Sequence, residues 1–185
     1  MIRRSAAFTL IELITVMAII AILSVSGSWL MVNLVKNSVF IPNQLNMDML
    51  ASDALNIMIE GDGRARGLRF SKAITSISGN NQLSFVNQDG QNIQYRLDTG
   101  VNKLYRLISA GPEAPVPYYL TSGINIDGKN SKFFTYYDAG DTETTNPVLV
   151  RRVKIAVIAK TGTGSYADWE GQSDQSSSIA VGKFQ

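Results

Sequence analysis

The chain has 185 residues, with 17 Lys+Arg, 15 Asp+Glu, no Cys and no His, a length that fits about one domain. Without Cys there is no disulfide, thiolate nucleophile or Cys-based metal site, and without His the commonest general base and transition-metal ligand are missing. The net charge of +2 rests on Arg3 and Arg4, beyond which basic and acidic side chains balance at 15 each, so the totals give no basic stripe of the kind nucleic-acid binding uses.

The N-terminal stretch "RRSAAFTLIELITVMAIIAILS" runs from Arg3 to Ser24 and holds a single carboxylate, Glu12. No charged residue lies between Glu12 and Lys36. Leu13 to Val32 is 20 residues, which at about 1.5 Å per residue spans the roughly 30 Å hydrocarbon core of a bilayer. Arg3 and Arg4 on the near side keep the N-terminus cytoplasmic and send the rest across.

Three readings of this stretch compete. One is a cleavable secretory signal, with "MIRR" as n-region, Phe8–Leu23 as apolar region and "SVS" (Ser24 to Ser26) as cleavage site. The second is a plain signal anchor. In the third, only Met1–Ala7 is removed and the apolar run stays as a helix. A carboxylate is expensive inside a membrane segment, and the first two readings give Glu12 no compensating role.

On these residues, "AFTLIELITVMAIIAIL" resembles the N-terminal signature of type IV pilins and of the pseudopilins of type II secretion. The resemblance implies a short basic leader containing Arg3 and Arg4, cut by a membrane-embedded prepilin peptidase between Ala7 and Phe8, with Phe8 then N-methylated. Glu12 becomes the fifth mature residue, which in that family pairs with the N-terminal ammonium of a neighbouring subunit and sets filament register. Two opposite charges that are each costly in an apolar bundle become tolerable when paired, and one polar position in a greasy helix interface fixes register. The departure from the family is Ala7, where glycine is usual before the cut.

The helical pattern continues through "NQLNMDMLASDALNIMIE", where Leu45, Met49, Ser52, Leu55 and Ile59 form one stripe, read as a core face. Pro42 is expected to kink the helix or start a new one at Asn43. Many major pilins carry a proline in the membrane half; here that half has Gly27. The helix should end at "EGDG" (Glu60 to Gly63), with glycine free to adopt a left-handed cap. The arginines of "GRARGLRF" (Arg64, Arg66, Arg69) read as a solvated loop paired with local acids such as Asp62 rather than as a phosphate site.

From residue 74 the period changes to two. "QLSFV" (Gln82 to Val86), "NIQYRLD" (Asn92 to Asp98), "KLYRLI" (Lys103 to Ile108), "KFFTYYD" (Lys132 to Asp138) and "VLVRRVKIAVIAK" (Val148 to Lys160) read as half-buried antiparallel strands. Turns are expected at Asp89-Gly90 and Thr99-Gly100, and a loop at "GPEAPVP" (Gly111 to Pro117). The Ser/Gly-rich stretch 161–177 reads as loop, and "SIAVGKF" (Ser178 to Phe184) as a last edge strand. This order of strands also resembles the heads of pseudopilins and minor pilins, more diffusely than the N-terminus does.

The resulting expectation is an α+β ladle: leader 1–7, membrane-spanning and filament-core helix 8–32, amphipathic continuation 33–61, and an antiparallel β head 62–185. Asp138, Asp141 and Glu143 in "DAGDTETTN" could supply oxygen ligands to Ca²⁺, but a solvated hairpin turn is the preferred reading. Glu113 with Asp138 could form a carboxylate pair, though nothing singles them out, and "GTGSY" lacks the Lys-Ser/Thr step of a P-loop. No cofactor and no enzymatic activity are expected.

The function implied is a minor pilin-like subunit of an envelope filament, in the bacterial inner membrane before assembly. Its partners would be other pilin or pseudopilin subunits, prepilin peptidase, the inner-membrane assembly platform and secreted cargo, with no specific nucleic acid. A type II secretion pseudopilin is favoured over a minor type IV pilin. The rivals from other classes are a membrane-anchored binding module with a chance "FTLIE" and a carboxylate-based envelope enzyme.

Overall fold

The computed structural model describes residues 9–109, 111–117, 126, 132–160 and 172–182. The chain divides into two units, 1–41 and 42–185. One helix, α1 (Leu10–Ile59), forms the described part of the first unit and continues into the second.

In the first unit no residue from 10 to 41 is buried. Leu10, Ile20, Leu23, Trp29 and Leu34 are all more than half exposed, the surface expected of a helix whose solvent is lipid or other helices. The hydroxyls of Thr15, Ser24, Ser26 and Ser28 donate to carbonyls four residues back, at 2.6, 2.7, 3.1 and 2.8 Å. Those polar groups are therefore satisfied within the helix, as an apolar surrounding demands. The helix neither stops nor restarts at Pro42. Proline there removes one hydrogen bond, a cost of about 3 kcal/mol, and regular helix on both sides outlasts that loss.

The second unit packs the end of α1 with antiparallel sheets. After the helix comes a two-residue ladder of β1 (Gly61–Asp62) and β2 (Ala65–Arg66). Five strands then form one sheet in sequence order: β3 (Ser71–Ser78), β4 (Gln82–Asn87), β5 (Asn92–Asp98), β6 (Lys103–Ile108) and β7 (Ala114–Pro115). β8 (Phe134–Tyr137), β9 (Arg152–Lys160) and β10 (Gln172–Ala180) form a second sheet with β9 central.

Period-two burial is what makes these strands. On β5 Ile93, Tyr95 and Leu97 are buried, and on β9 Val153, Ile155, Val157 and Ala159. Hydrogen bonds among the described residues tie the sheets together, including Phe134 N–H to the Asn80 carbonyl at 2.9 Å and the Tyr136 hydroxyl to the Gln82 carbonyl at 2.8 Å.

The helix contributes Met47, Ala51, Ala54, Leu55, Met58 and Ile59 to the core. This corrects the expected stripe, because Leu45 and Met49 are 58% and 66% exposed. The buried face runs through two alanines, whose small side chains let the helix approach closely. The expected stripe, which leaves out those alanines, misses it by about a quarter turn.

Other elements differ from the sequence reading. The last strand begins at Gln172 rather than Ser178, so residues 172–177 are strand, not loop. Serine and glutamine have little β propensity of their own, but β10 is held by a nine-residue ladder to the apolar β9. Part of "GPEAPVP" pairs as β7 with the edge of β6. The strand expected from Val148 starts at Arg152, because Pro147 lacks an N–H and Asn146 caps Val148 N–H at 3.1 Å, making a 3-10 turn at Pro147–Leu149.

The edge of β10 meets α1 through side chains. The Gln44 carboxamide accepts the Gln172 N–H at 3.0 Å and donates to the Gln172 carbonyl, while Gln175 donates to the Asp48 carbonyl at 3.0 Å.

Candidate functional site

The processing residues Ala7 and Phe8, with Arg3 and Arg4 of the leader, lie outside the described residues. Glu12 is described, in the first turn of α1. Thr9 precedes the helix and its backbone N–H and hydroxyl both donate to Glu12 Oε2, at 2.9 and 3.0 Å. The Glu12 N–H in turn reaches the Thr9 hydroxyl oxygen at 3.3 Å.

This is a reciprocal capping box, built from the pattern Thr-x-x-Glu. The sequence reading found no compensation for Glu12 within its own helix; the signal was present in "TLIE" and was missed. Glu12 therefore has a local role, satisfying donors that the helix start leaves open. Oε1 accepts nothing among the described residues, so one face of the carboxylate is left for another donor.

The acidic loop of the head is spent internally. Asp138 Oδ1 accepts the N–H groups of Gly140 and Thr142, at 2.8 and 3.0 Å, which closes the turn. Asp141 pairs with Arg152 at 2.8 Å and Glu143 with Lys132 at 2.8 Å; the Glu143 carboxylate raises the Lys132 pKa. Each carboxylate has its own partner. Among the described residues no group of three or more acidic side chains is placed to hold a metal ion. Glu113 pairs with Arg96 through two bonds of 2.9 Å and not with Asp138.

Among the described residues one charged pair is buried, and the sequence did not reveal it. Arg106 on β6 is 2% exposed and donates from Nη2 to Asp62 Oδ2 at 2.7 Å, with Asp62 10% exposed. Asp62 Oδ1 accepts the N–H groups of Arg64 and Ala65. Burial pushes the Asp62 carboxyl up, but the Arg106 guanidinium and those backbone donors outweigh it and hold the pKa below the ordinary value. Beside them the Tyr95 hydroxyl donates to the Ile57 carbonyl in the last turn of α1 at 3.1 Å, and burial pushes the Tyr95 phenol up to about 12. Arg66 pairs with Asp89 and Arg69 with Glu60. Two of the three arginines of the post-helix turn, Arg66 and Arg69, thus meet acids, while the expected acid, Asp62, takes the Arg64 N–H and pairs with Arg106 of β6.

The tight turn joining these groups needs its glycines. Gly61 has φ +96°, and a Cβ there would sit 2.2 Å from the Ala65 carbonyl oxygen. The expected left-handed end of the helix is in place, after Ile59.

Residues 2–28 match the model of the prokaryotic N-terminal methylation motif. No curated protein and no solved structure matches the chain. A long N-terminal helix packed on antiparallel sheets thus opens with the N-terminal methylation motif, the signature of type IV prepilins. The chain carries the prepilin signature, which implies processing by prepilin peptidase and assembly with other pilin subunits. Its apolar helix fits a single-pass inner-membrane anchor.

Proposed function

We propose that this chain is a non-enzymatic, minor structural subunit of an envelope filament, a pseudopilin of a type II secretion system in preference to a minor type IV pilin. The observation that carries the reading is the methylation motif at residues 2–28, with Glu12 five places into the chain that a cut after Ala7 would leave.

In this mechanism the peptidase removes residues 1–7 and frees the Phe8 ammonium. The exposed helix from Leu10 onward is held in the bilayer and then leaves it for a growing bundle, exchanging lipid for helix neighbours of similar polarity. Glu12 keeps Oε2 on its own Thr9 and offers Oε1 to the ammonium of an adjacent subunit. The head meets cargo or other minor subunits. The preference for a minor subunit rests on the lack of Cys, since many major pilins staple their C-terminal region with a disulfide. Retention of Glu12 argues against the extreme tip, where no subunit lies above to pair with it.

N-terminal sequencing of membrane-extracted protein tests the processing step. A start at methylated Phe8 supports the proposal; intact Met1, or a start at Gly27, sinks it. Deleting the gene should block secretion of exoproteins while leaving surface pili intact, and the opposite phenotype would transfer the subunit to a pilus.

A further inference from the structure

A groove of about 480 Å³ lies between the start of β3 and the 3-10 turn at Pro147–Leu149. Its wall is basic and aliphatic. Lys72 and Arg151 line it together with Ile74, Pro147, Val148 and Val181, and among the described residues no carboxylate does. Elsewhere on the head Arg66, Arg69, Arg96, Arg106, Lys132 and Arg152 have carboxylate partners, while Lys154 on β9 has none among the described residues. Lys72 and Arg151 have none among the described residues.

Both cations are positioned by backbone features. Ser71 pairs with Asn87 and Ala73 with Val86, two consecutive residues of β4. Lys72 is the extra residue of a bulge, a device that re-aims a side chain at a sheet edge. Arg151 Nη1 donates to the Val148 and Val150 carbonyls at 3.2 and 3.1 Å, which holds the guanidinium over the turn while its other donors remain available. Val148 is 74% exposed and Leu149 beside it 50%. β3 is an edge strand of its sheet, so an extended segment lying in the groove also finds backbone groups of the kind that strand addition uses.

We propose that this groove docks an extended acidic-aliphatic segment of another protein, its carboxylates on Lys72 and Arg151 and an aliphatic side chain against Val148. The inference does not depend on the filament reading. A peptide suits the site better than an anionic membrane surface does, because the site is concave and bordered by a strand edge.

The test uses the full chain in detergent and a fluorescein-labelled heptapeptide, GLDVELG, followed by fluorescence anisotropy. Saturable binding is expected, weakened about tenfold or more by Lys72→Glu, by Val148→Ser, and by replacing the peptide with its amide counterpart GLNVQLG. Lys72 and Val148 are exposed, so these variants keep the fold. Lys154→Glu, on the exposed face of β9 and outside the groove, should leave binding unchanged. Absence of saturable binding overturns the proposal, as does equal binding of the amide peptide or equal weakening by Lys154→Glu. Binding to phosphatidylglycerol vesicles that is lost in Lys72→Glu, with no peptide binding, overturns it in favour of a membrane surface.

Discussion

Replacing Asp62 by asparagine isolates what the buried ion pair contributes. Asparagine keeps an oxygen for the Arg64 and Ala65 N–H groups, so the turn after α1 retains its local bonds. The charge opposite Arg106 is lost. Arg106 is 2% exposed and its Nη2 donates to Asp62 at 2.7 Å, while Nε and Nη1 find no hydrogen-bond partner among the described residues. Its only anionic partner there is Asp62. Breaking a buried pair on one side costs about 3–5 kcal/mol, which is roughly a fifth or more of a typical domain's stability. For a unit spanning residues 42–185, roughly 3 °C per kcal/mol gives a Tm lower by about 10–15 °C. The assay is thermal unfolding of the full chain in detergent, read by near-ultraviolet circular dichroism of the core tyrosines. The double variant Asp62→Asn/Arg106→Leu should recover much of the loss, because no unpaired charge is then buried. A loss below about 1 kcal/mol in the single variant, the range of exposed pairs, would refute the reasoning.

The same pair sets an acid limit. The Asp62 pKa is below its ordinary value in the folded state, so the unfolded chain binds the proton more readily. The pair's stabilisation is complete above the unfolded carboxyl pKa of about 3.9 and is lost as pH falls through the folded value. The Tm gap between wild type and Asp62→Asn should therefore narrow below about pH 4, as parallel melts would show. Ala54 is fully buried where α1 meets the core; Ala54→Leu should cost about 1–3 kcal/mol by overpacking, measurable in the same melts. Glu12→Ala should leave cleavage after Ala7 intact but lower the fraction of subunit in sheared filaments, read by N-terminal sequencing and immunoblotting; unchanged filament entry would remove its assembly role.

Legibility in the sequence followed the physics of each element. β5 and β6 match their expected bounds end to end because alternating apolar residues leave one face to bury. The turn at Asp89-Gly90 is present with Gly90 at φ +79°, a conformation few other residues take. What escaped was whatever a partner element supplies. β10 is a strand through its ladder to β9, the helix stripe passes through alanines chosen for proximity, and the Asp62–Arg106 pair joins positions 44 residues apart. The capping box is local and legible in "TLIE", where Thr9 stands three residues before Glu12 and donates to its carboxylate.

The Gln44 carboxamide has a consequence for alignment. Along "QSDQSSS" the side chains are so alike that hydrophobic pattern gives little preference for one pairing with β9 over another shifted by two residues, and a slip by two keeps every side chain on its own face. Gln44 accepts and donates at one peptide position, Gln172. A shifted strand would present a different residue to that amide and to the Asp48 carbonyl, which takes the Gln175 side chain. The helix thus serves as a ruler for the polar half of a strand whose buried apolar residue, Ile179, lies near its other end.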